Sequence, residues 1–230
     1  MPKKDSLFLH EKIMLLALHD DKGTISSENY PYAIGGAVLA DLLLAGRLRV
    51  DEEGRKKFVG LRIAKPLGDP IVDECLAKVA EAKRRATVQT WVTRFAGLRN
   101  LKHRVAQGLC KRGILQADED KVLWIFTRKI YPEINPVPEN ELIDRLREAI
   151  FTETKELDPH TVVLVSLANG ANLLRLVFDR RELKARKTRI EQLANGELTG
   201  KATKEAIEAM QAAVMVAVIM PAITASVVNT

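Results

Sequence analysis

The sequence predicts a mainly α-helical fold with short β-hairpins, and three observations support this class. In residues 34–44, apolar side chains fall on nearly every face of a helix, which is typical of a helix buried in a core. A helix–glycine–strand pattern occurs twice, around Gly46 and around Gly113. Several other segments have the apolar periodicity of amphipathic helices. Together these patterns predict a buried helical core surrounded by amphipathic helices.

The two helix–glycine–strand units are each predicted to end in a hairpin. The glycine can adopt the left-handed conformation that closes a helix, and the residues after it are typical of a strand. The predicted charged turns and returning strands are residues 51–54 and 57–63 in the first unit, and residues 117–120 and 122–127 in the second. Helix plus hairpin is also the local pattern of a winged helix, so a nucleic-acid-binding protein is the alternative from another functional class.

The remaining elements follow from capping residues and periodicity. Asp69 and Asp158, each followed by proline, favour helix starts. The predicted helices cover about residues 6–18, 71–83 and 139–153, and a further one begins at Pro159 and is weakened at residues 169–172. Residues 24–32 are predicted to form a loop. The uncharged residues 209–228 are rich in alanine and include polar side chains, so we interpret them as a buried helix and not as a membrane span.

Length and composition limit the functional class. A chain of 230 residues with 47% hydrophobic content can bury a core as one large domain or two small ones. A net charge of +6 favours an anionic partner. The amino-terminal residues lack the apolar run of a secretory signal. Cys75 and Cys110 have no metal-ligand spacing and are predicted to be small buried hydrophobes, which fits a reducing cytoplasm.

Catalytic chemistry has no support in the sequence. The four histidines have no metal-ligand spacing with carboxylates, and neither a glycine-rich phosphate loop nor a nucleophile elbow occurs. We therefore expect a protein that is not an enzyme and that has no metal or cofactor.

The distribution of charge suggests an anion-binding surface. Residues 83–116 contain no aspartate or glutamate. Trp91 and Phe95, four positions apart, are predicted to pack inward, while Arg99 and Lys102, three apart, can meet one phosphate. The basic residues of the span are Lys83, Arg84, Arg85, Arg94, Arg99, Lys102, Arg104, Lys111 and Arg112. A solvated helical face is the alternative, but the lack of neighbouring acids favours an anion site.

The second hairpin combines apolar and cationic residues. Its apolar run lacks alternation, which indicates burial on both sides or contact with an apolar phase. The residues concerned are Leu123, Trp124, Ile125 and Phe126, followed by Arg128 and Lys129. This combination suits a membrane interface, where cations meet lipid phosphates. A core hairpin or a dimer contact is the alternative.

Several motifs, in order, resemble the Golgi phosphoprotein 3 family. They are LHEKIMLLALHD at residues 9–20 with Lys22-Gly23, LLLAGRL at 42–48, Gly68-Asp69 with Asp73-Glu74, TVQTWV at 87–92, RGIL at 112–115 and Asp158-Pro159-His160. The resemblance extends to the closing apolar helix and so covers nearly the whole chain. Their order and spacing, more than any single motif, make it specific.

The resemblance implies a single, mostly helical domain over residues 1–230, with residues 1–5 as a flexible tail. Characterised eukaryotic members of the family bind phosphatidylinositol 4-phosphate on Golgi membranes, insert an apolar hairpin and retain glycosyltransferases through their cytosolic tails. By this resemblance, residues 122–131 are the membrane-insertion hairpin. Arg99 and Lys102 match two basic headgroup-binding positions.

Two further headgroup positions depart from the family pattern. Gly35 stands where the family has an arginine, and Ser26 lies near its tryptophan position. Arginine has a planar guanidinium that binds phosphate through two N–H groups, and lysine lacks it. Gly35 in place of arginine, and lysine at position 102, should therefore weaken the recognition of one particular phosphorylated headgroup. The absence of a long amino-terminal extension suggests a bacterial or minimal member.

The sequence therefore predicts a peripheral membrane protein. We expect it to bind a phosphoinositide or another anionic headgroup, with adaptor activity toward membrane-protein tails and a homo-oligomer through the hairpin as further expectations. Its expected location is cytoplasmic, at the Golgi surface in a eukaryote or the inner face of the plasma membrane in a bacterium.

Overall fold

A computed structural model describes residues 7–19, 24–25, 30–122, 126–154 and 157–194. The predicted fold class is confirmed, because the chain is mainly helical and its sheets are small and antiparallel. The helices are α1 Leu9–Ala17, α2 Tyr30–Leu44, α3 Pro70–Ala80, α4 Val88–Ala96, α5 Leu101–Lys111, α6 Val137–Phe151, α7 Pro159–Gly170, α8 Leu174–Val177, α9 Arg180–Ala185 and α10 Lys187–Ala194. The strands are β1 Leu18–His19, β2 Thr24–Ile25, β3 Leu48–Glu53, β4 Lys56–Leu61, β5 Ala86–Thr87, β6 Asp118–Val122 and β7 Phe126–Ile130.

Helix α2 lies at the centre of the core. All of its residues from 33 to 42 are buried, which confirms the prediction of a helix buried on every face. It packs against α1, α3, α4 and α7. The prediction of a loop through residue 32 is wrong, because α2 begins at Tyr30. Pro31 is tolerated there since the first turn of a helix does not use its backbone N–H groups.

Both helix–glycine units close in the same way. Gly46 follows α2 with φ of 65°, and Gly113 follows α5 with φ of 70°. In each unit the amides of the glycine and of the next residue donate to carbonyls in the last turn, at 2.9 Å in the first unit and at 3.0 and 3.1 Å in the second. This is a Schellman cap, which glycine favours because it has no Cβ. The predicted closure of both helices by glycine is therefore confirmed, whereas the strand predicted directly after Gly113 is limited to a single bridge between Leu115 and Glu133.

The hairpins are present, but both charged turns are misplaced in the prediction. In the first hairpin β3 pairs with β4 through Glu53↔Lys56, so residues 51–53 belong to the strand and the turn is at Gly54, whose φ is 59°. In the second, β6 begins at Asp118 and pairs with β7 up to Val122↔Phe126. A two-residue strand, β5, extends the first hairpin to three strands. Acidic residues are tolerated in these strands because the side chains of Glu52, Glu53, Asp118 and Glu119 are exposed to solvent.

Aspartates cap two helices as predicted. Asp69 Oδ1 accepts hydrogen bonds from the amides of Ile71 and Val72, both at 2.9 Å, and Asp158 Oδ1 accepts from the amide of Thr161 at 3.1 Å. The ends of the helices differ from prediction: α3 stops at Ala80, and α7 ends at Gly170. Asn172, with φ of 59°, then turns the chain into α8.

A buried ionic cluster joins α1 to α2 and α3. His10 is 1% exposed, with Nδ1 3.8 Å from Asp41 Oδ2 and Nε2 3.6 Å from Asp69 Oδ1. Asp41 also accepts a hydrogen bond from the amide of Leu9 at 3.0 Å. Burial opposes a charge on His10, but the surrounding carboxylates outweigh it and raise the pKa of the imidazole. The cluster therefore favours a protonated His10.

Within the described ranges, no helix has the length and hydropathy that crossing a bilayer requires. The apolar segment predicted as a buried helix, residues 209–228, lies outside the described residues. Cys75 is fully buried and Cys110 half-buried, and burial raises the pKa of both thiols.

Candidate functional site

Part of the basic span, residues 83–116, is neutralised by acidic residues in the folded chain. Three of its arginines form ion pairs with acids distant in sequence: Arg85 with Asp51 and Glu53, Arg104 with Glu74, and Arg112 with Glu11. The prediction that residues 83–116 lack neighbouring acids is therefore wrong for these three arginines. Folding brings carboxylates from β3, α3 and α1 to them.

Arg99 lies in the turn between α4 and α5. The indole of Trp91 and the ring of Phe95 are buried, with centroids 5.6 Å apart, and fix α4 against the core as predicted. Asn100, with φ of 56°, then starts α5 in the left-handed conformation. Arg99 is exposed, and no carboxylate of the described chain lies within 4.0 Å of its guanidinium. Its charge therefore remains available to a ligand.

The amino-terminal end of α5 strengthens the positive field at this turn. The side chain of Asn100 makes no capping hydrogen bond to the helix. The first turn of α5 contains Lys102 and no acid. Because the amino-terminal end of a helix carries a partial positive charge, an anion beside Arg99 and Lys102 is favoured by the backbone as well as by the side chains.

His103 connects this end of α5 to the second hairpin. Its Nδ1 lies 2.9 Å from the hydroxyl of Tyr131, the buried residue directly after β7. Burial lowers the pKa of His103, and the charges of Lys102 and Lys129 lower it further. The contact between His103 and Tyr131 brings the end of β7, which contains Lys129, beside the first turn of α5, which contains Lys102. We call the surface formed by Arg99, Lys102 and Lys129 the α5–hairpin surface.

The remaining predicted site residues are placed differently. Gly35 is buried where α2 crosses α4, and a Cβ at this position would lie 2.6 Å from the carbonyl oxygen of Val92 and 2.9 Å from the amide nitrogen of Ala96. Gly35 therefore lies in a close helix–helix contact, where a lipid headgroup cannot reach it. Ser26 lies outside the described residues.

The predicted hairpin residues are only partly described. Leu123, Trp124 and Ile125 lie outside the described residues, while Phe126 and Arg128 are described by their place in β7. Lys129 is exposed. A hairpin is present here as predicted, but its ladder pairs residues 118–122 with residues 126–130, so most of the predicted turn at residues 117–120 belongs to strand β6.

Sequence reasoning missed the contact between His103 and Tyr131. The two residues are 28 positions apart, and nothing in the local pattern around either of them predicts it. It is this contact that places the basic end of β7 beside the first turn of α5. The described residues contain no group of His, Cys, Asp and Glu side chains suited to a metal ion.

Comparison with known proteins identifies the family. The profile described as Golgi phosphoprotein 3 (GPP34) matches residues 9–210. The chain is 26% identical over 217 residues to the vacuolar protein sorting-associated protein 74 of Eremothecium gossypii, covering 80% of this chain and 65% of the relative. It is 25% identical over 227 residues to the protein of the same name from Schizosaccharomyces pombe, covering 83% of this chain and 67% of the relative.

The chain thus spans about two thirds of the length of these curated relatives. Both relatives are fungal, and they give no support to a bacterial source. The profile match covers most of the chain and includes the segments that contain the motifs. The chain belongs to the Golgi phosphoprotein 3 (GPP34) family.

Proposed function

We propose that this chain is a peripheral membrane protein that binds anionic lipid headgroups, including phosphatidylinositol 4-phosphate, through Arg99 and Lys102. One observation carries the proposal. Arg99 is exposed, with no carboxylate of the described chain within 4.0 Å, and the contact of His103 with Tyr131 brings the end of the second hairpin beside the first turn of α5, which contains Lys102. Headgroup contact and hairpin contact with the bilayer would therefore occur on one surface.

The expected affinity is that of a small cationic surface. Each lysine or arginine close to an anionic membrane contributes about 1 kcal/mol, so three such residues contribute about 3 kcal/mol. Gly35 leaves only one arginine fork in the proposed site. We therefore expect binding to follow the charge density of the membrane more closely than the identity of the phosphorylated headgroup.

The wider assignment is part of the same proposal. The chain acts as one domain, without catalysis or cofactor, at the cytosolic face of a membrane, with the Golgi as the membrane that the family name indicates. Residues 122–131 form the hairpin that meets the interface, with the buried Tyr131 anchoring its base to α5. Recruitment of the cytosolic tails of membrane proteins, and self-association through the hairpin, complete the proposed role as an adaptor.

Vesicle flotation tests the proposal. Native protein is expected to float with vesicles containing an acidic lipid, and Arg99→Glu with Lys102→Glu should abolish its recovery. The matched control is Arg181→Glu with Lys184→Glu, which makes the same charge change at two exposed positions three apart on α9. Equal flotation of the two double variants would reject the site.

Binding to duplex DNA, measured alongside flotation, distinguishes the membrane proposal from the winged-helix alternative. A winged-helix protein would bind duplex DNA with a steep decrease in affinity as salt rises, because it displaces counterions from phosphates. Binding of this kind, with no recovery on acidic vesicles, would replace the membrane proposal.

A further inference from the structure

A second cationic cavity lies at the opposite end of α5 from Arg99. Its volume is about 380 Å³, and it is formed where α1, the end of α5 and the start of α6 meet. Each of these elements contributes one cation: Lys12 from α1, Arg112 from the end of α5 and Arg145 from α6. Because α5 has eleven residues, its length separates this cavity from the α5–hairpin surface by about 16 Å.

The cations of the cavity are only partly neutralised. Arg112 donates to Glu11 Oε2 at 2.8 Å. In contrast, no carboxylate in the described ranges lies within 4.0 Å of the charged group of Lys12 or Arg145. Glu141 is the one acidic residue of the described cavity wall. The wall therefore carries three cations and a single carboxylate, apart from the Glu11 partner of Arg112.

Lys12 and Arg145 repel each other across this cavity. Lys12 is half-buried, and burial lowers its pKa; the nearby guanidinium of Arg145 lowers it further, while Asp41, Asp158 and Glu11 act in the opposite sense. The charge of Lys12 therefore depends on a balance between these carboxylates and the burial and like charge that oppose it, and an anion bound in the cavity would shift this balance toward the charged amine. The arrangement has no evident packing function, since Arg145 is exposed.

Another cavity among the described residues provides a comparison. It has a volume of about 560 Å³ and also contains arginines, including Arg49 and Arg85. Those two are paired with Asp51 and Glu53 at the same wall. Two of its three arginines are thus neutralised by carboxylates of the same wall, and the third, Arg84, forms no ion pair within the described residues. In the cavity at the end of α5, by comparison, only Arg112 of the three cations forms an ion pair with a described carboxylate.

We propose that the cavity between Lys12, Arg112 and Arg145 binds a phosphate group. Arginine forks and a lysine on three separate elements surround a phosphate from several directions, and guanidinium groups recognise its oxygens in pairs. The cavity is large enough for a phosphomonoester together with part of the group that carries it. Val137, 57% exposed, forms an apolar part of the rim, so a phospholipid headgroup and a soluble phosphorylated molecule both satisfy this chemistry.

Acetylation of Lys12 tests the proposal at the residue itself. The protein is labelled briefly with an amine-acetylating reagent in inorganic phosphate and in chloride at equal ionic strength, and each lysine is quantified by mass spectrometry. Bound phosphate favours the charged amine, and every unit by which the pKa rises reduces the reactive neutral form tenfold. We expect Lys12 to be protected up to about tenfold, while Lys78 and Lys187, which form surface ion pairs, react equally in both salts.

Two variants and a second measurement keep the proposal falsifiable. Arg145→Gln should remove the protection, and Arg181→Gln, an exposed control on α9, should retain it. If Lys12 reacts too slowly in chloride, thermal unfolding is compared instead: replacing chloride by phosphate should raise the Tm of the native protein, and of Arg181→Gln, by more than that of Arg145→Gln. Equal labelling of Lys12 in both salts, or an equal rise in Tm in the native protein and in Arg145→Gln, would overturn the proposal.

A last pair of conditions identifies the source of the phosphate. Phosphatidic acid vesicles in phosphate-free buffer are compared with inorganic phosphate alone. Protection of Lys12 by both supports a lipid headgroup, and protection by inorganic phosphate alone supports a soluble ligand.

Discussion

The two helix–glycine–hairpin units share a local pattern but differ in what holds the hairpin. The first hairpin, β3–β4, gains a third strand from β5 and is tied to it by ion pairs from Arg85 to Asp51 and Glu53. The second, β6–β7, contacts chiefly itself, and it is fixed at its base by the bond from Tyr131 to His103 and by the amide of Gln116 donating to the carbonyl of Pro132.

The difference shows how one pattern can serve two purposes. The acids of the first hairpin neutralise a basic residue of the neighbouring segment. In the second, acidic residues of β6 stand opposite basic residues of β7, as in Glu119↔Lys129, and Lys129 also lies beside His103 of α5. The first hairpin therefore belongs to the scaffold, and the second carries its charge to the surface proposed to bind lipid.

The largest expected effect is a difference in stability between alanine substitutions in α2 and in α5, the helices of the two units. Gly35→Ala in α2 places a Cβ 2.6 Å from a backbone oxygen of α4, whereas Gly108→Ala in α5 places one 4.0 Å from the carboxylate of Glu11, which is an ordinary van der Waals distance. We expect Gly35→Ala to destabilise the fold by about 3 kcal/mol through overpacking. Gly108→Ala should stabilise it by up to about 1 kcal/mol, because alanine favours a helix over glycine.

Urea unfolding followed by circular dichroism measures both changes. A loss of stability in Gly108→Ala similar to that in Gly35→Ala would show that α5 is packed as closely as α2, and the contrast between the two helices would fail.

A smaller effect is expected at the base of the second hairpin. Tyr131→Phe removes only the hydroxyl that meets His103, and should cost about 1 kcal/mol of stability. Because this bond aligns β7 with α5, flotation on acidic vesicles should also weaken. Tyr32→Phe is the matched control, since the hydroxyl of Tyr32 has no hydrogen-bond partner in the described chain. Unchanged flotation of Tyr131→Phe would mean that the bond does not position the hairpin.

The smallest effects come from two histidines whose pKa values shift in opposite directions. The pKa of His10, beside α2, is raised, so its contribution to stability is full below about pH 6.5 and is lost as the pH rises through the folded pKa. The pKa of His103, on α5, is lowered by burial and by Lys102 and Lys129. The fold therefore loses stability at His103 as the pH falls below about 6.5.

Unfolding free energies between about pH 5 and pH 8 test this opposition. At the acidic end of this range, His10→Gln should lower the unfolding free energy relative to the native protein, because it removes a stabilising charged histidine. His103→Gln should raise the unfolding free energy there, because it removes a histidine whose protonation destabilises the fold. Changes of the same sign in the two variants would contradict the assigned environments.

The sequence predicts what depends on neighbouring residues and misses what folding brings together. The caps at Gly46, Gly113 and Asp69, and the buried helix α2, follow from local periodicity and backbone preference. The acids of β3 and β6 suggest turns locally, but they are strand residues because a solvated strand face tolerates charge. Arg112 and Glu11 pair across 101 positions, which no sequence window can reveal.

Some features of the candidate site can also be predicted from the sequence, and others appear only in the fold. The exposure of Arg99 agrees with its place after the inward-facing Trp91 and Phe95. The contact of His103 with Tyr131, which unites α5 with β7, appears only in the fold, and so does the burial of Gly35 under α4. Alignment by sequence places Gly35 at a ligand position, while packing gives it a structural one.

Quenching of tryptophan fluorescence by brominated lipids tests the central claim, that α5 and the second hairpin meet a bilayer together. Trp91 is 2% exposed and packed in the core, so it should be insensitive to the quencher, and Trp124 of the hairpin should report contact. The account predicts quenching of the native chain on acidic brominated vesicles, and its loss in Arg99→Glu with Lys102→Glu. Quenching that persists in the double variant, or that is absent from the native chain, would contradict the account.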